Sequence, residues 1–99
     1  MLTWTCAVYI MTSRRDGPLY VGVTSNLPGR VWQHRNGTFP GFTKRYGLTR
    51  LVHFESFEDI EAAIAFEKRL KRWRRDWKIA LIERDNPDWC DLWPDISSP

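Results

Sequence analysis

The chain has 99 residues, of which 42% are hydrophobic and 27% charged, and its formal net charge is +3 at pH 7. This length predicts one domain over residues 1–92, followed by a disordered tail over 93–99. No apolar run of about 18 residues occurs, and no basic and apolar leader begins the sequence, so we expect neither a membrane protein nor a secreted one. Cys6 and Cys90 lie in no paired motif, and reduced thiols of this kind are typical of a cytoplasmic protein.

The first part of the chain predicts a β-hairpin. Residues 5–12 are β-branched and aromatic enough for a strand, and residues 19–23 are typical of the returning strand. Between them, Asp16-Gly17 offers the tolerance for positive φ that a tight turn requires. This hairpin places Tyr9 and Tyr20 on neighbouring strands.

A short helix is predicted over roughly residues 27–36. Asn26 is a favourable N-cap, and Gly37 is a typical residue just beyond a helix end. Positions three, four and seven residues apart share one face of a helix. Arg30 and His34 therefore lie on the same face as two apolar residues.

The second half of the chain predicts one strand and two helices. Residues 38–50 are expected to form a loop with at most one helical turn, and residues 51–57 a strand. Two helices follow, over residues 58–72 and 75–84. We expect Trp73 and Trp77 to hold the junction of the two helices against the core. The predicted order is β-β-α-β-α-α, which is an α+β fold without repeats or linkers.

The longer helix carries a carboxylate within its apolar face. The apolar residues recur at helical spacing and are Ile60, Ala63, Ile64, Phe66, Leu70 and Trp73. At about 100° per residue, Glu67 projects between Ile60 and Ala63. A charge in that position must be paired, neutralised or bound to a metal ion. Arg30 or Lys71 could pair with it, or a divalent cation could bind it.

Basic residues are concentrated directly after this glutamate. Seven of them stand between positions 68 and 78, namely Lys68, Arg69, Lys71, Arg72, Arg74, Arg75 and Lys78. A basic stripe on a helix is a usual feature of polyanion-binding proteins, although a solvated helix face has the same composition. The candidate nucleic-acid contacts are Lys68, Lys71, Arg72 and Arg75.

The candidate residues fit the chemistry of phosphodiester hydrolysis. A fixed guanidinium such as Arg30 stabilises the negative charge that gathers on the phosphoryl oxygens in the transition state. One carboxylate, here Glu67, can hold a single Mg²⁺ or Mn²⁺ whose remaining ligands are water and phosphate. Tyr9, Tyr20 or His34 could accept the proton of the attacking water.

This arrangement resembles the GIY-YIG endonuclease superfamily. Residues 8–10, "VYI", stand where the family has its GIY motif, and residues 20–22, "YVG", stand where it has YIG. The segments "LPGRVWQH" and "AIAFEKRLKRW" carry an arginine, a histidine and a glutamate at the family's spacing. From about Thr5 to Leu92, the chain is also similar to a subgroup of small single-domain bacterial proteins, the UPF0213-like proteins.

The resemblance implies a fold with a three-stranded antiparallel sheet flanked by helices. It also implies the activity of a metal-dependent DNA endonuclease, whose substrates include branched or flapped DNA in repair or recombination. By the same resemblance, Tyr9 and Tyr20 line the active site, Arg30 contacts the scissile phosphate and His34 assists proton transfer. Glu67 would bind a single Mg²⁺ or Mn²⁺. Lys44 and Tyr46 are weaker candidates, because the subgroup brings polar residues of this segment toward the site.

Two other classes of function stay open from the sequence. A nucleic-acid-binding module without catalysis would use the same basic helix and exposed aromatic residues. A protein-interaction domain of a repair complex would use the acidic segment over residues 86–99. The buried carboxylate favours the enzyme, because a module that only binds has no evident need for it.

Overall fold

Three strands and five helices form the part of the chain that the computed structural model describes, residues 6–39 and 41–97. The strands are β1 (Cys6–Thr12), β2 (Tyr20–Thr24) and β3 (Arg50–Phe57), and the helices are α1 (Leu27–Arg35), α2 (Phe42–Tyr46), α3 (Ile60–Arg72), α4 (Arg75–Asp85) and α5 (Trp93–Ser97). The α+β class and the predicted strands and longer helices are confirmed. The structure adds α2, at the place of the anticipated helical turn, and α5.

The strands form one antiparallel sheet in the order β2-β1-β3, so the first strand is central. Tyr9 is paired with Gly22 on β2 and with Phe54 on β3, and Met11 is paired with Tyr20. The predicted hairpin is therefore confirmed, with the two tyrosines diagonal to each other across β1 and β2. In its turn Asp16 adopts the left-handed conformation, with φ of 59°.

Both faces of the sheet are covered, which explains why every residue of β1 is buried. Val8 and Ile10 belong to the core on the face covered by α3 and α4. Alternate residues of the strand point the other way, and Tyr9 and Met11 accordingly pack with α1 and α5 on the second face. Tyr9 thus belongs to a packed layer as well as to the candidate site.

Capping side chains fix where the two functional helices begin. Asn26 accepts a hydrogen bond from the Gly29 backbone N–H at 3.1 Å and starts α1, as predicted. Asp59 accepts one from the Glu61 N–H at 3.1 Å and starts α3. Within the described ranges, none of the helices is long and apolar enough to cross a membrane.

Three apolar residues are more exposed than the sequence predicted. Ile60 and Ile64 on α3 are 42% and 37% exposed, and Trp77 on α4 is 52% exposed. The helix turns Ala63, Glu67 and Leu70 toward the sheet, so the two isoleucines lie at the edge of the contact. Trp73 packs against the core, whereas Trp77 only contacts Trp73, with their ring centroids 6.1 Å apart.

Residues 93–97, expected from the sequence to belong to a disordered tail, form α5, and residues 98 and 99 lie outside the described part. Asp91 accepts hydrogen bonds from the backbone N–H groups of Leu51 at 3.2 Å and Trp93 at 3.0 Å. The Leu92 N–H donates to the Leu51 carbonyl at 2.8 Å. The Arg35 side chain of α1 pairs with Asp91 and lies over the Trp93 ring, so this segment is fastened to both α1 and β3.

Candidate active site

A chain of three buried polar side chains forms the centre of the candidate site. The Tyr9 hydroxyl lies 2.9 Å from Nε2 of His34. The other ring nitrogen, Nδ1, lies 2.9 Å from the Thr43 hydroxyl. All three residues are buried. One strand, β1, and two helices, α1 and α2, therefore meet at the His34 imidazole.

The rings of Tyr20 and Phe39 pack against the Tyr9 and His34 rings of this chain. The His34 ring lies 5.5 Å from the Tyr9 ring and 5.4 Å from the Tyr20 ring, measured between centroids. Phe39, from the segment between α1 and α2, approaches the His34 ring edge-on at 4.5 Å. The four rings limit the positions that the imidazole and the phenol can adopt.

Gly22 leaves the space that the Tyr9 ring occupies. A Cβ atom at this position would lie 2.5 Å from both Cζ and Oη of Tyr9. Ordinary van der Waals contact begins at 3.4 Å, so no larger residue fits while the ring stays in place. The glycine of the "YVG" segment is thus required for the position of the Tyr9 hydroxyl.

Arg30 lies one turn before His34 on α1 and is held over the Phe39 ring, with its Cζ 4.9 Å from the ring centroid. Burial is the main influence on the pKa of Tyr9 and raises it, whereas the Arg30 guanidinium acts in the opposite direction and lowers it. The charge of Arg30 also lowers the pKa of His34. A fixed cation therefore lies beside both ends of the tyrosine–histidine pair.

Burial moves the pKa values of the tyrosine and the histidine further from 7, in the directions that favour their neutral forms. For Tyr9, burial and the neighbouring Tyr20 raise the pKa, and they outweigh the opposite effect of Arg30. For His34, burial and then the charge of Arg30 lower the pKa to about 4. A neutral imidazole beside a phenol can accept its proton.

Glu67 is 8% exposed and lies on the buried side of α3. Burial is the main cause of the raised pKa of Tyr9, and the charge of Glu67 adds to it as the smallest contribution. Its Oε2 atom also forms an ion pair with Nζ of Lys71, one turn further along α3, at 2.6 Å. Of the two salt-bridge partners considered from the sequence, Lys71 is the one that pairs with it.

The donor atoms at this site suit a hard divalent cation held by few protein ligands. Among the described residues, no group of three His, Cys, Asp or Glu side chains could hold a metal ion. A single carboxylate is nevertheless a usual protein ligand for Mg²⁺, whose other ligands are then water and substrate phosphate. Glu67 fits such a site, provided that the half-exposed Lys71 side chain gives up the carboxylate.

The segment around α2 contributes a different residue from those predicted. Tyr46 packs against Phe42 on the surface, with ring centroids 4.8 Å apart, and Lys44 is exposed. Thr43 contacts His34 instead. Neither Thr43 nor Phe39 was identified from the sequence. A helix predicted over residues 42–46 would have favoured burial of the face shared by Phe42 and Tyr46, so the sequence carried no signal for Thr43.

The predicted nucleic-acid contacts have different surroundings in the structure. Lys68 and Arg72 line a surface cavity of about 190 Å³ together with Arg69. Arg75 donates to the backbone carbonyls of Asp16 and Gly17, at 2.8 and 2.7 Å, and so fastens the hairpin turn to α4. With Lys71 paired to Glu67, the cavity residues are the better candidates for phosphate contacts.

Comparison with known protein families agrees with this arrangement. The model of the GIY-YIG catalytic domain matches residues 5–80. The chain therefore belongs to the GIY-YIG family, and this membership implies nuclease activity.

Relatives within the family are UPF0213 proteins. The UPF0213 protein CPE1444 of Clostridium perfringens is 39% identical over 75 residues, which cover 76% of this chain and 80% of that protein. The UPF0213 protein HQ_3675A of Haloquadratum walsbyi is 36% identical over 76 residues, covering 77% and 84% of the two chains. The solution NMR structure of the UPF0213 protein BH0048 from Bacillus halodurans aligns over 95% of this chain and 98% of that chain, with 26% identity and a TM-score of 0.55.

Proposed function

We propose that this protein is a metal-dependent endonuclease that hydrolyses phosphodiester bonds in DNA. The observation that carries the proposal is the buried contact between the Tyr9 hydroxyl and His34, 2.9 Å long, on which the charges of Arg30 and Glu67 both act. A phenol, a neutral imidazole, a fixed guanidinium and a carboxylate are together the groups that phosphodiester hydrolysis needs.

Arg30 binds the scissile phosphate in this proposal. Its guanidinium is held over the Phe39 ring at 4.9 Å, so little side-chain freedom is lost when the phosphate arrives. Negative charge on the phosphoryl oxygens increases toward the transition state, and a fixed cation stabilises that state more than the ground state. Removing the guanidinium should therefore reduce the rate more than the affinity.

Tyr9 and His34 together accept the proton of the attacking water. In this proposal, bound DNA opens a path to the Tyr9 oxygen, which is enclosed in the free protein. The water transfers its proton to this oxygen while the Tyr9 proton moves to Nε2 of His34, and because the pKa of the phenol is raised, the coupled transfer avoids an unfavourable free tyrosinate. After the P–O bond breaks, the imidazolium returns its proton to Tyr9 while Tyr9 passes a proton to the departing oxygen, which restores the neutral pair.

Glu67 holds one Mg²⁺ or Mn²⁺ in this proposal, and the ion supplies charge neutralisation at the phosphate when it is bound. When no ion is bound, the Lys71 ammonium pairs with the Glu67 carboxylate at 2.6 Å, and this pair removes the cost of an unpaired buried charge. The cation and the lysine thus compete for the same oxygen atoms.

The substrate surface extends from the site along α3. Lys68, Arg69 and Arg72 are exposed around one cavity, and contacts from such residues to phosphates carry no sequence information. Branched and flapped DNA, of the kind formed during repair and recombination, are the substrates that we propose, in the cytoplasm and with a repair protein as a possible partner.

The direct test is cleavage of end-labelled linear, flapped and four-way-junction DNA, with Mg²⁺ or Mn²⁺ and with EDTA. We expect metal-dependent cleavage by the wild type and none by Glu67→Gln or Arg30→Ala, while DNA binding persists in both variants. Glu61→Gln and Arg14→Ala, which change exposed residues of the same types, should cleave as the wild type does. Cleavage that persists in EDTA, or in Glu67→Gln, would contradict the proposed role of the metal.

The second candidate function is a nucleic-acid-binding module without catalysis. The Lys71–Glu67 ion pair favours it, because this pair gives the buried carboxylate a structural role that needs no metal. Binding of every DNA substrate without cleavage, by wild type and variants alike, would establish this alternative.

A further inference from the structure

The Thr43 hydroxyl is buried next to the His34 imidazole. Its Oγ1 lies 2.9 Å from Nδ1 of His34, and its side chain is almost fully enclosed. It belongs to α2, a helix of five residues whose Phe42 and Tyr46 are exposed. Thr43 is thus the residue that fastens this short helix to the imidazole.

The surroundings of Tyr9 favour one tautomer of His34. The positive charge of Arg30 acts on the phenol and attracts the lone pairs of the Tyr9 oxygen, which turns the hydroxyl hydrogen away from the guanidinium. The phenol can therefore use this hydrogen to donate to Nε2 of His34, at 2.9 Å. A neutral imidazole carries one N–H, so the hydrogen then lies on Nδ1 and is donated to Thr43. The opposite direction would leave the Tyr9 hydrogen without a place in this chain.

We propose that Thr43 is a positioning residue that holds His34 in the Nδ1–H tautomer, with the Nε2 lone pair directed at Tyr9. The inference deepens the proposed nuclease function, and its kinetic part rests on that function. Nε2 can accept the Tyr9 proton only in this tautomer. With the hydrogen on Nε2, the imidazole would donate to the phenol, and the coupled proton transfer from water could not begin.

Packing alone would give Thr43 a different signature. A threonine that only fills space is replaced by the isosteric valine without effect on the charge or tautomer of its neighbours. The same substitution at a positioning threonine leaves the Nδ1–H facing a methyl group. A buried donor without an acceptor is costly, so the hydrogen should move to Nε2, where the Tyr9 oxygen can accept it.

The tautomer is measured directly by ¹⁵N NMR of the His34 ring near pH 7, which does not depend on nuclease activity. We expect Nδ1–H in the wild type and in Thr43→Ser, and Nε2–H in Thr43→Val. Thr12→Val is the matched control, because Thr12 is also buried and its hydroxyl donates to the Arg14 carbonyl, outside the His34 chain. Nε2–H in the wild type, or Nδ1–H retained in Thr43→Val, would overturn the proposal.

Cleavage rates complete the test. Thr43→Val should reduce kcat by about tenfold or more, the equivalent of at least one hydrogen bond, while Thr43→Ser and Thr12→Val stay near the wild-type rate. An unchanged rate in Thr43→Val, with its tautomer switched, would refute the catalytic importance of Thr43. If the wild type cleaves no DNA, the nuclease proposal fails, and the NMR result alone decides the tautomer assignment.

Discussion

Replacing Gly22 by alanine tests whether the site depends on the position of the Tyr9 ring. The added Cβ would lie 2.5 Å from Cζ and Oη of Tyr9, which is 0.9 Å short of the 3.4 Å at which ordinary contact begins. The ring is enclosed on all sides, with no exposed surface, so it can yield only by moving within the packed layer.

The expected size of the effect follows from that displacement. A movement of the hydroxyl by the missing distance would break the 2.9 Å contact to His34, because a donor–acceptor separation beyond roughly 3.5 Å is no longer a hydrogen bond. Overpacking costs about 1–3 kcal/mol, and the lost hydrogen bond costs about 1 kcal/mol. The better strand propensity of alanine returns about 0.5–1 kcal/mol. We therefore expect a net loss of about 1–3 kcal/mol in the free energy of unfolding and a fall of at least tenfold in cleavage.

Urea denaturation and the DNA cleavage assay measure the two effects separately. Val52→Ala is the control, because Val52 is buried in the core on the other face of the sheet and its truncation destabilises the fold without touching Tyr9. We expect Val52→Ala to lose stability while retaining its cleavage rate under conditions where it is folded. Cleavage by Gly22→Ala at the wild-type rate would refute the argument that Gly22 positions the phenol.

Other measurements test the electrostatics of the site and its surroundings. Because the pKa of His34 is lowered to about 4 in the folded protein, the unfolded chain protonates this histidine more readily, and the free energy of unfolding decreases as the pH falls below 6.5. In urea denaturation, the decrease should reach about 2 kcal/mol by pH 5 in the wild type and be smaller in His34→Gln. An equal pH dependence in both proteins would contradict this prediction. Lys71→Met should lower the Mn²⁺ concentration needed to half-saturate the site in calorimetry, since the competing ammonium group is gone; weaker Mn²⁺ binding would show that Lys71 does not compete for Glu67. Lys68→Ala combined with Arg72→Ala should reduce the salt slope of DNA binding by about 2 for every sequence alike, and a sequence-selective loss would count against phosphate contacts.

Hydrophobic periodicity and turn residues were enough to predict the three strands and the three longer helices of this fold. Alternation and the Asp16-Gly17 turn predicted the hairpin, and helical spacing predicted α3 with its buried Glu67. The motif positions also predicted the residues that meet around the imidazole, Tyr9 and Tyr20. These signals are local, and each is read within one element or between two neighbouring ones.

The remaining features depend on contacts between distant segments. Phe39 and Thr43 follow a turn-rich segment whose path is set by the imidazole that it packs against, so no periodic pattern marked them. The exposure of Ile64 depends on how α3 crosses the sheet. The helix after Asp91 is fastened because that carboxylate accepts a hydrogen bond from the Leu51 N–H of β3, 40 residues earlier in the chain, which composition alone could not indicate.

The contact between Arg35 and Asp91 has a consequence for protein synthesis. The two residues are 56 positions apart, and the helix that carries Arg30 and His34 is supported from behind only when the later segment has been made. At translation rates of about 5–20 residues per second, this delay is about 3–11 s. Throughout that interval, the nascent chain carries Arg30 and His34 on a helix without its final support, so a newly made molecule should acquire its activity only after Asp91 has been added to the chain.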